Sequence, residues 1–468
     1  MLELDHQLVF DAELAADFFA ALPARAGVCL IEPRAAGAEP FLIRTQDLRR
    51  RLTKLLGLLD AQSKRLNLRE FAGAVRYRVT GSRFEQTLTF YQNAKSLHPT
   101  RYRDLLRMRP PAVLKVNLKN AYPRCFVTRR IPVDAAGTPI AGAYYGPFAK
   151  RKIAERFAES VLDFFKVRRC QIKIRRDPTF PGCLYSEMKM CLAPCFAGCS
   201  QEEYGAEVQR LVQFLDTGGD SLRAALEKER EHASEDLDFE RASVLHKRVE
   251  KLDEALRGGP ELARRVTDIN AVILQRGAEE QTIGVYAVRG GYLAEPLVVR
   301  FAEIASAPKS AEQLFRDYLE APATAAGTAC RAPTENPLTE NAAVGARHAV
   351  PVSDVVSTNV PPMELRGPKD LSEHLWLLAR WYYGNEREGE IFFHNEPGRP
   401  AGWPYRRILR ACSRLLAPEA KPPVDQKPSA TAAAPVPESV ETPPPGEPAK
   451  TKPSQAHLFD KSSNEGVT

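Results

Sequence analysis

Five cysteines within thirty residues constrain this chain more than any other feature. Cys170, Cys183, Cys191, Cys195 and Cys199 follow one another at spacings of 13, 8, 4 and 4 residues. The other four, Cys29, Cys125, Cys330 and Cys412, are scattered. The first residues, Met1-Leu-Glu-Leu-Asp-His6, offer neither a basic n-region nor an apolar h-region, so no secretory signal is expected. In a reducing compartment a dense cysteine group reads as a metal or iron–sulfur site before it reads as disulfides. Thiolates need a positive ion to hold them deprotonated. The neighbouring Arg168, Arg169, Lys173, Arg175 and Arg176 are expected to lower the thiol pKa values further. Cys191-Leu-Ala-Pro-Cys195 is a compact turn that can aim two sulfurs at one centre. Spacing alone does not separate tetrahedral zinc from an iron–sulfur cluster.

Charge supplies the second constraint. Between Arg44 and Arg176 there are 31 Lys and Arg against 9 Asp and Glu, a net of +22, which leaves −15 for the rest of a chain that totals +7. A basic block that fills a whole domain of an otherwise acidic chain is the footprint of a polyanion binder, and nucleic acid is the expected partner. No run of about 18 apolar residues occurs, so no transmembrane helix and no membrane association are expected, and the location is read as cytoplasmic.

With 468 residues the chain has room for several domains. An α+β multidomain fold is expected. Residues 1–105 read as a small α/β unit: a helix ending at Pro23, a hairpin of Gly27–Ile31 with Pro40–Ile43, a basic helix from Leu48, a strand over Val75–Val79 and a helix from about Phe84 to Leu97. Residues 106–200 read as short strands, a helix with Ile153, Phe157, Val161, Phe164 and Phe165 on one face, and the cysteine-rich region. Ser200 and Glu203 form a capping box that opens a helical region over 201–257. Strands return in 258–320, and 368–415 continues that unit with a helix from Asp370, where Glu373 stands three residues after an Asp cap. Residues 321–367 and 416–468 are rich in Ala and Pro and read as a disordered insertion and a disordered tail.

Several stretches together resemble the UvrC family, the incision subunit of the bacterial excinuclease in nucleotide excision repair. They are Tyr145-Gly-Pro-Phe148, Arg168-Arg-Cys170, Cys183-Leu-Tyr185, Met190-Cys-Leu-Ala-Pro-Cys195 and Glu202-Glu-Tyr204. Leu237-Asp-Phe-Glu-Arg-Ala242, with Leu245 and Val249 beyond it, resembles the helical UVR motif through which UvrC meets UvrB. The resemblance covers roughly Pro23 to Phe393 and only the N-terminal half of the family architecture. No stretch resembles the family's RNase H-like domain or its helix–hairpin–helix pair, and both are expected to be absent. It implies a [4Fe–4S] cluster on Cys170, Cys183, Cys191 and Cys195, with zinc as the alternative and Cys199 as a spare thiol.

The resemblance also implies that the N-terminal unit descends from a GIY-YIG nuclease, which cuts DNA with a bound divalent metal. Such a site needs two tyrosines, an arginine, a glutamate and an asparagine. Here the first tyrosine position holds Cys29 and the second holds Phe41. Arg51 matches the arginine. The glutamate falls at Phe90 and the asparagine at Tyr102 or Arg103. A hard cation needs oxygen ligands, and Phe90 has none. A nuclease fold kept without its chemistry is therefore expected, with magnesium bound only if the nuclease is active after all. In that alternative, an active metal-dependent endonuclease, Glu85 would supply the missing carboxylate by a shift of register. Arg44, Arg49 and Arg50, beside Arg51, are expected to hold DNA phosphates.

Leu237, Phe239, Ala242, Leu245, Val249 and Leu252 are expected to form the apolar face of a helical hairpin, free for UvrB or packed on its own chain. In the tail, Gln455-Ala-His-Leu-Phe-Asp460 resembles the short peptide that binds the bacterial sliding clamp, with Gln455, Leu458 and Phe459 as its contacts.

Overall fold

The structure is a computed structural model that describes residues 4–58, 64–257, 259–304, 306, 308–321, 370–385, 387–395 and 402–417. The Ala/Pro-rich insertion, apart from Ala321, and the clamp-like Gln455–Phe459 lie outside the described residues, as does Cys330. All described residues belong to one compact unit, Met1–Ala417.

The chain begins with β1 (His6–Val9), α1 (Ala15–Ala21), β2 (Gly27–Pro33), β3 (Phe41–Thr45), α2 (Leu48–Leu56), β4 (Ala72–Val79), α3 (Arg83–Leu97) and α4 (Tyr102–Leu106). The four strands form an antiparallel sheet in the order β1-β4-β2-β3. β2 is apolar on both faces because both are covered. Cys29 and Ile31 enter a core with Leu48, Leu52 and Leu55 of α2. Val28 and Leu30 enter a second core with Leu88 and Phe90 of α3. A Cβ on Gly27 would collide with the Arg78 carbonyl and the Leu48 side chain, so only glycine lets β2 lie this close to β4 and α2. Asp47 caps α2 by accepting the Arg50 N–H at 2.8 Å.

The middle region holds β5 (Ala112–Val116), β6 (Cys125–Thr128), β7 (Ala143–Phe148), α5 (Arg151–Leu162), α6 (Leu184–Glu187) and α7 (Gln201–Asp216). A helical hairpin follows, α8 (Asp220–Glu235) and α9 (Phe239–Arg257), and then the short β8 (Arg264–Arg265), which joins the sheet β6-β5-β7-β8. The Ser200–Glu203 capping box is present, with Ser200 Oγ accepting the Glu203 N–H at 3.0 Å and Glu203 accepting the Ser200 N–H at 2.8 Å. On α5 the buried stripe is Ala154, Phe157, Ala158, Val161 and Leu162. Ile153 instead points outward at 38% exposure, because the helix starts at Arg151 and its first turn projects beyond the core.

A third sheet contains β9 (Ala271–Arg276), β10 (Thr282–Arg289), β11 (Tyr292–Leu293) and β12 (Leu297–Arg300). Helices α10 (Phe301–Ile304), α11 (Ala311–Glu320) and α12 (Asp370–Tyr382) come next, then β13 (Glu390–Phe393), which pairs with β9, and α13 (Tyr405–Leu416). The core that contains Phe90 and Tyr91 of α3 also contains Leu371, Leu375, Trp376 and Trp381 of α12, so the N-terminal sheet and the third sheet share apolar residues. No described helix is long and apolar enough to cross a membrane.

Candidate functional site

The nuclease-like positions do not converge on one point. Cys29 is fully buried under α2, and burial pushes its thiol up to about 12, with the Arg51 charge opposing the rise. Phe41 pairs with Ile31 across the β2–β3 hairpin and packs on the same core. Arg51 is exposed on α2. Phe90 lies in the other core, on the α3 face of the sheet, and its ring carries the Arg44 guanidinium at 5.6 Å. Cys29 and Phe90 are thus separated by the sheet itself. A buried neutral thiol and two aromatic rings do not fit a magnesium ion.

Tyr102 and Arg103 are committed elsewhere. The Tyr102 hydroxyl donates to Glu373 of α12 at 2.6 Å, and Arg103 Nε donates to the same oxygen at 2.8 Å. Glu373 was expected to serve the start of its own helix. Instead its other oxygen accepts from Tyr91 Oη at 2.7 Å, with Lys95 Nζ at 3.5 Å. Glu85 accepts the Gly81 N–H at 2.7 Å and closes the cap of α3 with Ser82. Its carboxyl is raised by burial and lines a 270 Å³ cavity against β10, together with Arg25, Arg78 and Tyr286. Arg49 is exposed, and its guanidinium is engaged by backbone carbonyls. It caps the C-terminus of α1, donating to Leu22 O at 2.7 Å and Ala20 O at 3.2 Å. Arg44 and Arg50 are exposed.

The cysteine loop runs between α5 and α7. Arg168, itself buried, donates Nε to Tyr122 O at 2.8 Å and Nη1 to Ile172 O at 3.0 Å. The Tyr204 hydroxyl accepts the Arg168 N–H at 3.0 Å and donates to Pro123 O at 2.7 Å. These bonds tie the segment carrying Cys170 to α7 and to the β5–β6 loop. Cys183 opens α6. Cys191 Sγ accepts the Ala193 N–H at 3.3 Å. Four residues of this region that are not glycine, Arg176, Lys189, Ala193 and Ala197, adopt left-handed φ values of 53°, 56°, 55° and 60°. Such backbone persists where surrounding contacts over-determine it.

Burial pushes the Cys191 thiol up to about 11, and Cys170, Cys195 and Cys183 each add to the rise. Cys195 is raised for the same reasons, again with Cys183 and Cys170 contributing. At Cys191 and Cys195 burial, and not the lowering expected from nearby arginines, sets the direction. Arg168 serves backbone carbonyls and places Nη1 3.9 Å from Cys170 Sγ, Arg169 pairs with Asp163 at 2.9 Å, and Arg176 donates to Cys199 O at 3.2 Å and opposes the rise of the Cys199 thiol. Four thiols within electrostatic reach of one another are a donor set that fits zinc or an iron–sulfur cluster. Among the described residues, however, no group of three or more His, Cys, Asp or Glu is drawn together tightly enough to hold a metal ion.

The helical hairpin divides its apolar residues. Leu245, Val249 and Leu252 of α9 are buried in a core with Leu222, Leu226 and Ala233 of α8, and Ala242 packs partly against it. At the tip Leu237 is 71% exposed, Phe239 68% and Val244 66%. Leu237 sits at φ +58° in the turn, and Asp238 accepts the Arg241 N–H at 3.0 Å to cap α9. Val244 escaped sequence reasoning because it lies off the main apolar stripe.

Residues 112–214 match a family described as UvrC/Cho excinuclease, middle domain. The chain is 31% identical over 204 residues to the UvrABC system protein C of Nitratidesulfovibrio vulgaris, covering 43% of this chain and 27% of that protein. It is 30% identical over 220 residues to that of Carboxydothermus hydrogenoformans, covering 46% and 34%. For Rhodococcus erythropolis the figures are 31% over 226 residues, 47% and 30%. The match thus spans about a third or less of each of these relatives. No solved structure matches the chain.

Proposed function

From the premise that the chain is a UvrC-family protein, carrying the family's middle domain at residues 112–214, we propose that it works in nucleotide excision repair as a non-incising adaptor. It binds DNA through its basic N-terminal and middle regions and UvrB through the α8–α9 hairpin. The observation that carries the adaptor reading is the hairpin tip. A helix pair that buries Leu245, Val249 and Leu252 has no internal use for Leu237, Phe239 and Val244 in water. Exposed apolar groups at the hairpin turn and along the first part of α9 suit a partner surface.

Phe239→Ala should weaken UvrB binding by about 2 kcal/mol, roughly thirtyfold, without changing the stability of the chain. Leu245→Ala, by contrast, opens a cavity and should destabilise the fold by about 2–5 kcal/mol. A titration with purified UvrB checks the first and chemical unfolding the second. Equal UvrB affinity of wild type and Phe239→Ala would remove the tip from the interface.

The N-terminal unit supplies DNA affinity and no cleavage in this reading. Phe41 has no hydroxyl to hold a proton, and Phe90 gives no oxygen to a metal. Lesion-bearing duplex incubated with the chain, UvrB and Mg²⁺ should show no nicking above background, with Arg51→Ala indistinguishable from wild type. Mg²⁺-dependent cutting that disappears in Arg51→Ala would overturn this and make the protein an endonuclease.

Cys170, Cys183, Cys191 and Cys195 are proposed to hold a [4Fe–4S] cluster, with zinc as the alternative. Such a centre would supply a structural cross-link between the segments after α5 and before α7. Tyr204 and Arg168 hold the first of these segments in register for it.

A further inference from the structure

An open cleft of about 740 Å³ lies between β3 and α3 on one side and the C-terminal half of α12 on the other. Arg44, Arg83 and Arg380 line it, with Thr45, Gln46 and Asn385, and no carboxylate is among the described residues of its wall. Arg83 stands against Glu388 at 4.0 Å. Arg44 and Arg380 are each positioned by an aromatic ring. Arg44 lies over Phe90 at 5.6 Å and donates to Thr87 Oγ1 at 3.3 Å, while Arg380 lies over Trp376 at 5.3 Å. A ring fixes the plane of a guanidinium without cancelling its charge.

The two cations also oppose one another. Burial, and then the Arg380 charge, hold Arg44 below its ordinary pKa. An anion placed between them would relieve that repulsion. Forked donors with fixed planes suit the oxygens of a phosphate group.

We propose that this cleft holds a phosphodiester of the DNA backbone between Arg44 and Arg380, so that the DNA path runs from the N-terminal sheet onto α12. The inference rests on the DNA-binding reading above and says where the strand is held. It also extends the DNA surface beyond the basic block of the sequence, because Arg380 lies more than 200 residues past Arg176. The cleft is open to solvent, as a continuous strand requires.

The test uses the full chain and a fluorescein-labelled duplex titrated at several salt concentrations. Arg44→Gln and Arg380→Gln should each lower affinity by about threefold to tenfold and reduce the slope of log K against log salt by about one. The double variant should lose less than the product of the single losses, because both side chains hold one group. Arg380→Lys should keep most of the salt slope. If Arg380→Gln fails to fold, Arg44→Gln reads the same prediction from the other side of the cleft. Wild-type binding matched by Arg380→Gln in both affinity and slope would overturn the proposal and leave the DNA reading standing. A wild type that binds no duplex at low salt would remove the DNA reading itself.

Discussion

Replacing Glu373 by alanine should lower the unfolding free energy of the chain by about 3–5 kcal/mol, the usual cost of removing one partner from a buried charge network. The Glu373 side chain is only 5% exposed and joins α12 to α3 and α4. Without it the Tyr91 and Tyr102 hydroxyls lose their acceptor in a buried site, and each unmet donor costs about 1–3 kcal/mol. Arg103 and Lys95 are more than a third exposed and recover water, so they add little. Chemical unfolding of wild type and variant checks the difference. An unchanged midpoint would mean that the two sheets are held by Trp376, Trp381 and their apolar neighbours alone. The same group sets an acid dependence. Burial alone would raise its pKa, but hydrogen bonds from Tyr102, Tyr91 and Arg103, with the Lys95 charge, outweigh burial and bring it below its ordinary 4.5. A depressed carboxylate stabilises fully above its unfolded value and loses that contribution as pH falls through the folded one. The stability gap between wild type and Glu373→Gln should therefore be widest above about pH 4.5 and shrink on further acidification.

That network was not legible in the sequence, and the reason is distance along the chain. An acidic residue three positions after an Asp at a helix start satisfies every local rule for a cap. Its real partners lie some 270–280 residues upstream. Local signals were read well where they act locally. The β2–β3 hairpin, the Ser200–Glu203 box and the long α3 follow from alternation, capping chemistry and periodicity within a few residues. The sequence reading places no strand before α1, because His6, Gln7 and Val9 are exposed and leave no alternating pattern. Its strand exists because β4 offers a free edge. The positions carried over from a nuclease show the same limit. Motif spacing placed Cys29 and Phe90 in one site, yet strand alternation sends Cys29 toward α2, and Phe90 belongs to α3 on the opposite face. In the α8–α9 hairpin, periodicity gave one apolar stripe. It could not tell that the core ends a turn short of the tip, which turns Phe239 outward and Leu245 inward.

Cys191→Ser should empty the proposed metal centre and unfold the loop around it, an effect larger than that of Glu373→Ala. Wild type purified without oxygen should carry iron near cluster stoichiometry, or zinc near one equivalent in the alternative. Metal bound only by the folded loop contributes its binding energy to folding, about 10–16 kcal/mol in small zinc peptides. Here much of that energy would be used to close four thiols that the polypeptide alone brings near one another but does not gather. The left-handed residues Lys189, Ala193 and Ala197 flank Cys191 and Cys195 and would be the first to relax. Proteolysis should then cut within residues 170–199 in Cys191→Ser and in chelator-treated wild type, while α7, anchored by Tyr204, Leu211 and Phe214, stays protected. Cys199→Ser serves as the comparison, since Cys199 is buried beside the centre and is not among the four proposed ligands. It should keep its metal. Full metal content in Cys191→Ser would strike that residue from the ligand set. Wild type with neither iron nor zinc would leave the loop held by Arg168, Tyr204 and the backbone alone.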